Sequence, residues 1–241
     1  MNQKAEIKNI GRLVFLHLFP GIVFSIVYIF ISTSGLLDGC PKIVIASLSS
    51  VFSTIPIELG LLFYVAKKET GNYNLFNILG LKSRLSIVKL MGFSLLLLVV
   101  GVIIMTVMKP FSDYSLHVVF HWIPDWYIWS QDMSLFSRNM ILLAIAADFI
   151  IITLLVPIIE EFYFRGFLLS RMKWMGKYSV LFNVVLFSIY NFQSPWLVLT
   201  RSLYMLPLVY LVYKKDSMKL GIFVHCIANF TDVVTLMLLL K

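Results

Sequence analysis

Charge is what this chain has least of. Of its 241 residues only 13% are Asp, Glu, Lys or Arg, against about 25% in soluble domains. That shortage excludes an ordinary soluble globular protein. Acids are the scarcer sign, 12 against 20 bases, which leaves a net charge of +8. Such an excess on a soluble protein would suggest nucleic acid. Here the bases gather between apolar stretches, where membrane orientation and anionic lipid account for them, so no nucleic-acid partner is expected. Cysteine is nearly missing. Cys40 lies near the end of one apolar stretch and Cys226 inside another, which argues against a disulfide framework. Repeats and low-complexity tracts are absent. The first apolar run lacks a small-residue cleavage site and reads as a retained helix rather than a signal peptide.

What is abundant is hydrocarbon. Hydrophobic residues make up 60% of the chain and the mean hydropathy is +0.91. This points to an all-α, polytopic membrane helix bundle, a single membrane-embedded domain over 1–241. Seven apolar spans stand out, about 12–33, 43–66, 86–108, 140–171, 178–195, 197–213 and 220–240, judged against the ~20 residues a crossing needs. Lys4, Lys8 and Arg12 precede the first span. Lys67, Lys68, Lys82, Arg84 and Lys89 separate the second from the third. Arg171, Lys173 and Lys177 precede the fifth, and Lys214, Lys215 and Lys219 the seventh. The alternate connections are poorer in bases, which predicts a multi-pass protein of the cell membrane with a cytoplasmic N-terminus.

Two segments depart from simple crossings. Residues 109–137 hold Pro110, Pro124, Trp122, Trp126, Tyr127 and Trp129, and read as a loop or amphipathic stretch at the outer headgroup level. Residues 140–171 would form a helix of about 48 Å, longer than a bilayer core, with a kink expected at Pro157.

Inside that long span stand two adjacent acids, Glu160 and Glu161, followed by Arg165. A carboxylate in hydrocarbon is costly and marks a partner or a task. Helical spacing puts Glu161 and Arg165 on one face, where they can pair, while Glu160 points about 100° away. Counting from the cytoplasmic bases at ~1.5 Å per residue, Glu160 lies about 16 Å deep, Asn191 about 21 Å, and His225 and Asn229 about 9 and 15 Å. Similar depth on three helices predicts a shared polar chamber that keeps these groups off the lipid.

The pattern Glu160-Glu161-x-x-x-Arg165, then Phe187-x-x-x-Asn191, then His225-x-x-x-Asn229 resembles the CPBP family, the CAAX prenyl endopeptidases and bacteriocin-processing or immunity proteins also called Abi. The similarity covers roughly 145–240, with Gly166-Phe167-Leu168, Pro195 and Gly221 as agreeing flanks. The resemblance implies a CPBP-like core over 138–241, with N-terminal helices and an outer aromatic loop over 1–137. It further implies an intramembrane endopeptidase in which Glu160 activates water, His225 and Asn229 hold the oxyanion or the water, and Arg165 pins Glu161. Its substrate would be a membrane-associated peptide or protein, such as a bacteriocin or pheromone precursor or a peptide to which it confers immunity, with lipidated CAAX proteins as the alternative the family name suggests.

One position departs from the family. The second motif should end in His, and this chain has Asn191. Asn cannot titrate near neutral pH and is a poor zinc ligand, so a tightly held zinc is discounted, a weakly held divalent metal such as zinc stays open as the minor alternative, and no other cofactor is expected. Three readings stay open: a slower glutamate-based protease, an altered chemistry, or a pseudoprotease that binds a partner membrane protein through the same chamber. A transporter with a midplane ion site is less well supported, because no paired broken helices suggest inverted repeats. Among the remaining polar residues, His117 and His121 have metal-compatible spacing but read as interfacial groups. His17 reads as an interhelical hydrogen-bonder. Tyr190, next to Asn191, is a donor into the chamber only as the minor alternative. Glu58 either lines the chamber or pairs with a base on a neighbouring helix.

Overall fold

A computed structural model of the chain describes residues 6–79 and 85–240. Lys4, Lys82 and Arg84, used above to orient the chain, lie outside the described residues. The helices are α1 (Ile10–Thr33), α2 (Lys42–Phe52), α3 (Thr54–Thr70), α4 (Ile87–Tyr114), α5 (Arg138–Ala147), α6 (Val156–Glu160), α7 (Tyr178–Tyr190), α8 (Val198–Lys215) and α9 (Met218–Leu238). Widened π turns at Asp148–Leu155 and Glu161–Leu169 join α5 and α6 into one rod, Arg138–Leu169. Among the described residues six helical stretches are long and apolar enough to cross a membrane, and α7 is a shorter apolar helix. The chain is a multi-pass membrane protein built as an all-helical bundle.

Two predicted boundaries are corrected. The third span does not stop at 108. Helix α4 runs through Pro110 to Tyr114 and continues as a π turn over Ser115–Val119. Pro110 removes a single backbone donor, and a helix in lipid keeps its remaining internal bonds because no water competes for them. Lys109 and Asp113, four apart at 2.6 Å, support the same turn. The fifth span does not reach 195. Helix α7 ends at Tyr190 after 13 residues, about 20 Å, short of a ~30 Å hydrocarbon core.

The early end of α7 leaves irregular backbone deep in the protein, which is tolerated only if its polar groups find partners. They do. The Asn191 amide donates to Phe187 O at 2.9 Å. Arg201, buried on α8, donates to Ser188 O at 3.2 Å and to Ser194 Oγ at 2.6 Å. Phe192 N–H bonds Tyr190 O, and the Tyr127 hydroxyl donates to Phe192 O at 3.2 Å. The aromatic loop is thereby folded back on the bundle, where Trp129 packs on Phe24 and Tyr28.

The second crossing is also broken. Ser47, Ser49, Ser50 and Ser53 each bond back to the carbonyl four residues earlier, a habit that bends helices. The break falls at Ser53, and Pro56 follows. Glu58 sits in the next turn of α3. The main apolar cluster takes Leu13, Leu16, Leu62 and Leu97 from the first half of the chain and Phe164, Phe187, Val209 and Val224 from the second. The N-terminal helices therefore share one core with residues 138–240.

Candidate active site

Glu160 closes α6 and Glu161 opens the following π turn, and both are buried. Arg165, also buried, brings Nη1 to 3.5 Å from Glu161 Oε1. Its guanidinium lies over the Phe187 ring at 4.1 Å, a placement that favours a cation desolvated against an aromatic face. Arg165 is thus held between a carboxylate and a ring, and Glu161 is fixed by it.

His225 on α9 stands between the two acids. Its Nδ1 lies 3.3 Å from Glu161 Oε1, and its Nε2 lies 3.9 Å from Glu160 Oε2. The approach of α9 depends on Gly221: a Cβ there would overlap the Glu161 carboxylate. The remaining oxygen of Glu160, Oε1, accepts the Tyr190 hydroxyl at 3.0 Å. That hydroxyl is also 3.1 Å from Glu58 Oε1. The structure therefore gathers Glu160, Glu161, Arg165, His225, Tyr190 and Glu58, contributed by α3, α7, α9 and the fourth crossing.

Asn191 and Asn229 are placed otherwise. Asn191 terminates α7: its Nδ2 serves Phe187 O, and its Oδ1 accepts Gln193 Nε2 at 3.0 Å. Its neighbour Tyr190, rather than Asn191, meets Glu160. Asn229 Nδ2 donates to Ile152 O at 2.9 Å. Val156 N–H bonds Ile151 O, five residues back. One step on, Ile152 O would take the N–H of residue 157, but Pro157 has none. Asn229 supplies the missing donor and so fixes the wall beside Glu160.

His117 and His121 are exposed in the π turn and the loop after α4, and His121 Nδ1 faces Val118 O at 2.9 Å. Among the described residues no set of three or more His, Cys, Asp or Glu side chains is arranged to hold a metal ion. His225 is the one imidazole at the site, and a cationic guanidinium stands against Glu161, so the donor set does not fit zinc. His17 makes the expected interhelical bond, 3.1 Å to Asn183, whose amide also donates to Phe164 O at 3.0 Å.

The sequence reading overlooked Asn183, Arg201 and Asp148, all buried within apolar spans. Each carried the signal that identified Glu160, a polar or charged side chain inside hydrocarbon.

No curated protein and no solved structure matches the chain. A family model does: residues 142–231 match the one described as type II CAAX prenyl endopeptidase Rce1-like. That stretch contains Glu160, Glu161, Arg165, Tyr190, His225, Asn191 and Asn229, and over it the chain is similar to this Rce1-like family of intramembrane endopeptidases.

Proposed function

We propose that the chain hydrolyses a peptide bond in a membrane-associated peptide or protein, with Glu160 as the base that activates water. The observation that carries this reading is the convergence of Glu160 Oε2 and His225 Nε2 at 3.9 Å, with the other oxygen of Glu160 already held by Tyr190. An oxygen between the two groups lies within hydrogen-bond reach of both. In the tautomer with Nδ1–H directed at Glu161, His225 Nε2 is an acceptor. A water then gives one hydrogen toward Glu160 and the other toward His225. Its proton passes to Glu160 as its oxygen bonds the substrate carbonyl carbon. Glu160 returns that proton to the leaving nitrogen as the carbon–nitrogen bond breaks. Arg165 and Glu161 keep the imidazole turned toward this point.

A bacteriocin or pheromone precursor, or a peptide to which the cell is immune, suits a site enclosed by membrane helices. The basic connections support a cytoplasmic N-terminus. A cysteine-accessibility scan with an impermeant thiol reagent tests that orientation: a residue added before α1 should be labelled only in opened cells.

A second reading has one observation in its favour. Asn191, at the end of the second motif, is committed to capping α7 and offers no titratable group. A pseudoprotease would keep this chamber to bind a partner membrane protein. Cleavage of quenched membrane peptides by purified wild type and Asn191→His separates the two: activity in wild type supports the enzyme, and activity only in Asn191→His supports the pseudoprotease.

A further inference from the structure

Glu58 lies on α3, outside the matched stretch 142–231. It is fully buried, and its Oε2 has no hydrogen-bond partner. Its Oε1 and Glu160 Oε1 meet the same hydroxyl, that of Tyr190, at 3.1 and 3.0 Å. Tyr190 has little freedom to choose between them. Its ring packs on Phe164 at 4.8 Å and on Phe187 at 5.7 Å, and its ring and carbonyl fill the space that a Cβ at Gly21 would take. The ionisable groups facing the pair are Arg165 and Tyr163 from the fourth crossing, then Glu161 beside Glu160, and His225 from α9. Arg165 is ion-paired with Glu161.

Hydrogen counting then limits the arrangement: one of the two carboxyls must carry a hydrogen. Two oxygen–oxygen contacts of hydrogen-bond length converge on one hydroxyl, which has a single hydrogen to give. The second contact needs a hydrogen from a carboxyl. Two bare carboxylates on either side of one hydroxyl would leave a buried charge unpaired, and the Glu58 Oε2 already lacks a partner.

We propose that Glu58 is a positioning residue of this site: its carboxyl hydrogen donates to the Tyr190 oxygen, and the Tyr190 hydroxyl donates to Glu160 Oε1. Glu160 is thereby kept as the carboxylate, with Oε2 turned toward His225. This deepens the reading of Glu160 as the base and rests on it for its role in catalysis, while the hydrogen-bonded chain itself can be tested separately. An α3 residue from the first half of the chain thus completes a site whose motifs all lie in the second.

The test uses the full chain in detergent, as wild type, Glu58→Leu, Glu58→Gln and Tyr190→Phe, each checked for an unchanged elution profile. One readout is steady-state cleavage of quenched membrane peptides. The other is the infrared band of a protonated carboxyl, assigned with isotope-labelled glutamate. The expected result is a wild-type band that is lost in Glu58→Gln and displaced in Tyr190→Phe. Glu58→Leu lowers kcat about tenfold at unchanged KM, the equivalent of one hydrogen bond. Glu58→Gln recovers part of that loss, because an amide N–H can donate to Tyr190 where leucine cannot. A band that survives in Glu58→Gln, or equal kcat losses for Gln and Leu, overturns the proposal. If wild type cleaves no peptide, the endopeptidase reading fails. The infrared band then decides the hydrogen-bonded chain by itself: its loss in Glu58→Gln supports the chain, and its survival overturns it.

Discussion

The Tyr163 hydroxyl donates to Leu16 O at 2.7 Å, the carbonyl whose helical partner would be the N–H that Pro20 does not have. This bond ties α1 to the rod that carries Glu160. Tyr163→Phe should destabilise the folded protein by about 1 kcal/mol, the usual size of a hydrogen bond between membrane helices. Pro20→Ala restores the backbone donor, so Tyr163→Phe should cost less in that background. A double-mutant cycle by thermal or denaturant unfolding measures the difference; equal costs would show that Tyr163 does not serve the orphaned carbonyl.

Asn229 and Ile152 repeat the device at Pro157. Asn229→Leu should lower stability by about 1–2 kcal/mol, and Pro157→Ala should relieve part of that loss. A fall in kcat with unfolding unchanged would instead assign Asn229 to the reacting groups.

Gly21 and Gly221 are sites of close approach, to Tyr190 and to the Glu161 carboxylate. Adding a methyl group to a packed contact costs roughly 1–3 kcal/mol. Gly221→Ala should displace Glu161 from His225 and lower kcat, whereas Gly92→Ala, where a Cβ meets open space, should leave cleavage as it is. The two variants are compared in one peptide-cleavage assay.

The donor set does not fit zinc, so a strong chelator should leave cleavage rates within about twofold of untreated protein. A large loss that is restored by added metal would refute the glutamate-only account.

Much of this architecture was legible because lipid simplifies the code. Apolar length gave the crossings, and the acids Glu160 and Glu161 marked the candidate site. The failures share a cause. Pro110 reads as a helix stop by soluble-helix rules, but in lipid the helix runs through it to Tyr114. Asn191 was expected in the chamber from its motif position. It sits at the end of a helix that stops early, and that end is set by Arg201 and Tyr127, tertiary partners that no local pattern reveals. Glu58 was legible as a buried acid, but its partner was not. A contact 132 residues away, through Tyr190, depends on how α3 and α7 pack.

The central claim is that Glu160 activates water for peptide hydrolysis. It is tested most directly by incubating purified wild type and Glu160→Gln with a panel of quenched membrane peptides and identifying products by mass spectrometry. The account predicts cleavage at a defined bond by wild type and a loss of about 10²–10⁴ in rate for Glu160→Gln, the range for removing a general base. Undiminished cleavage by Glu160→Gln would contradict it.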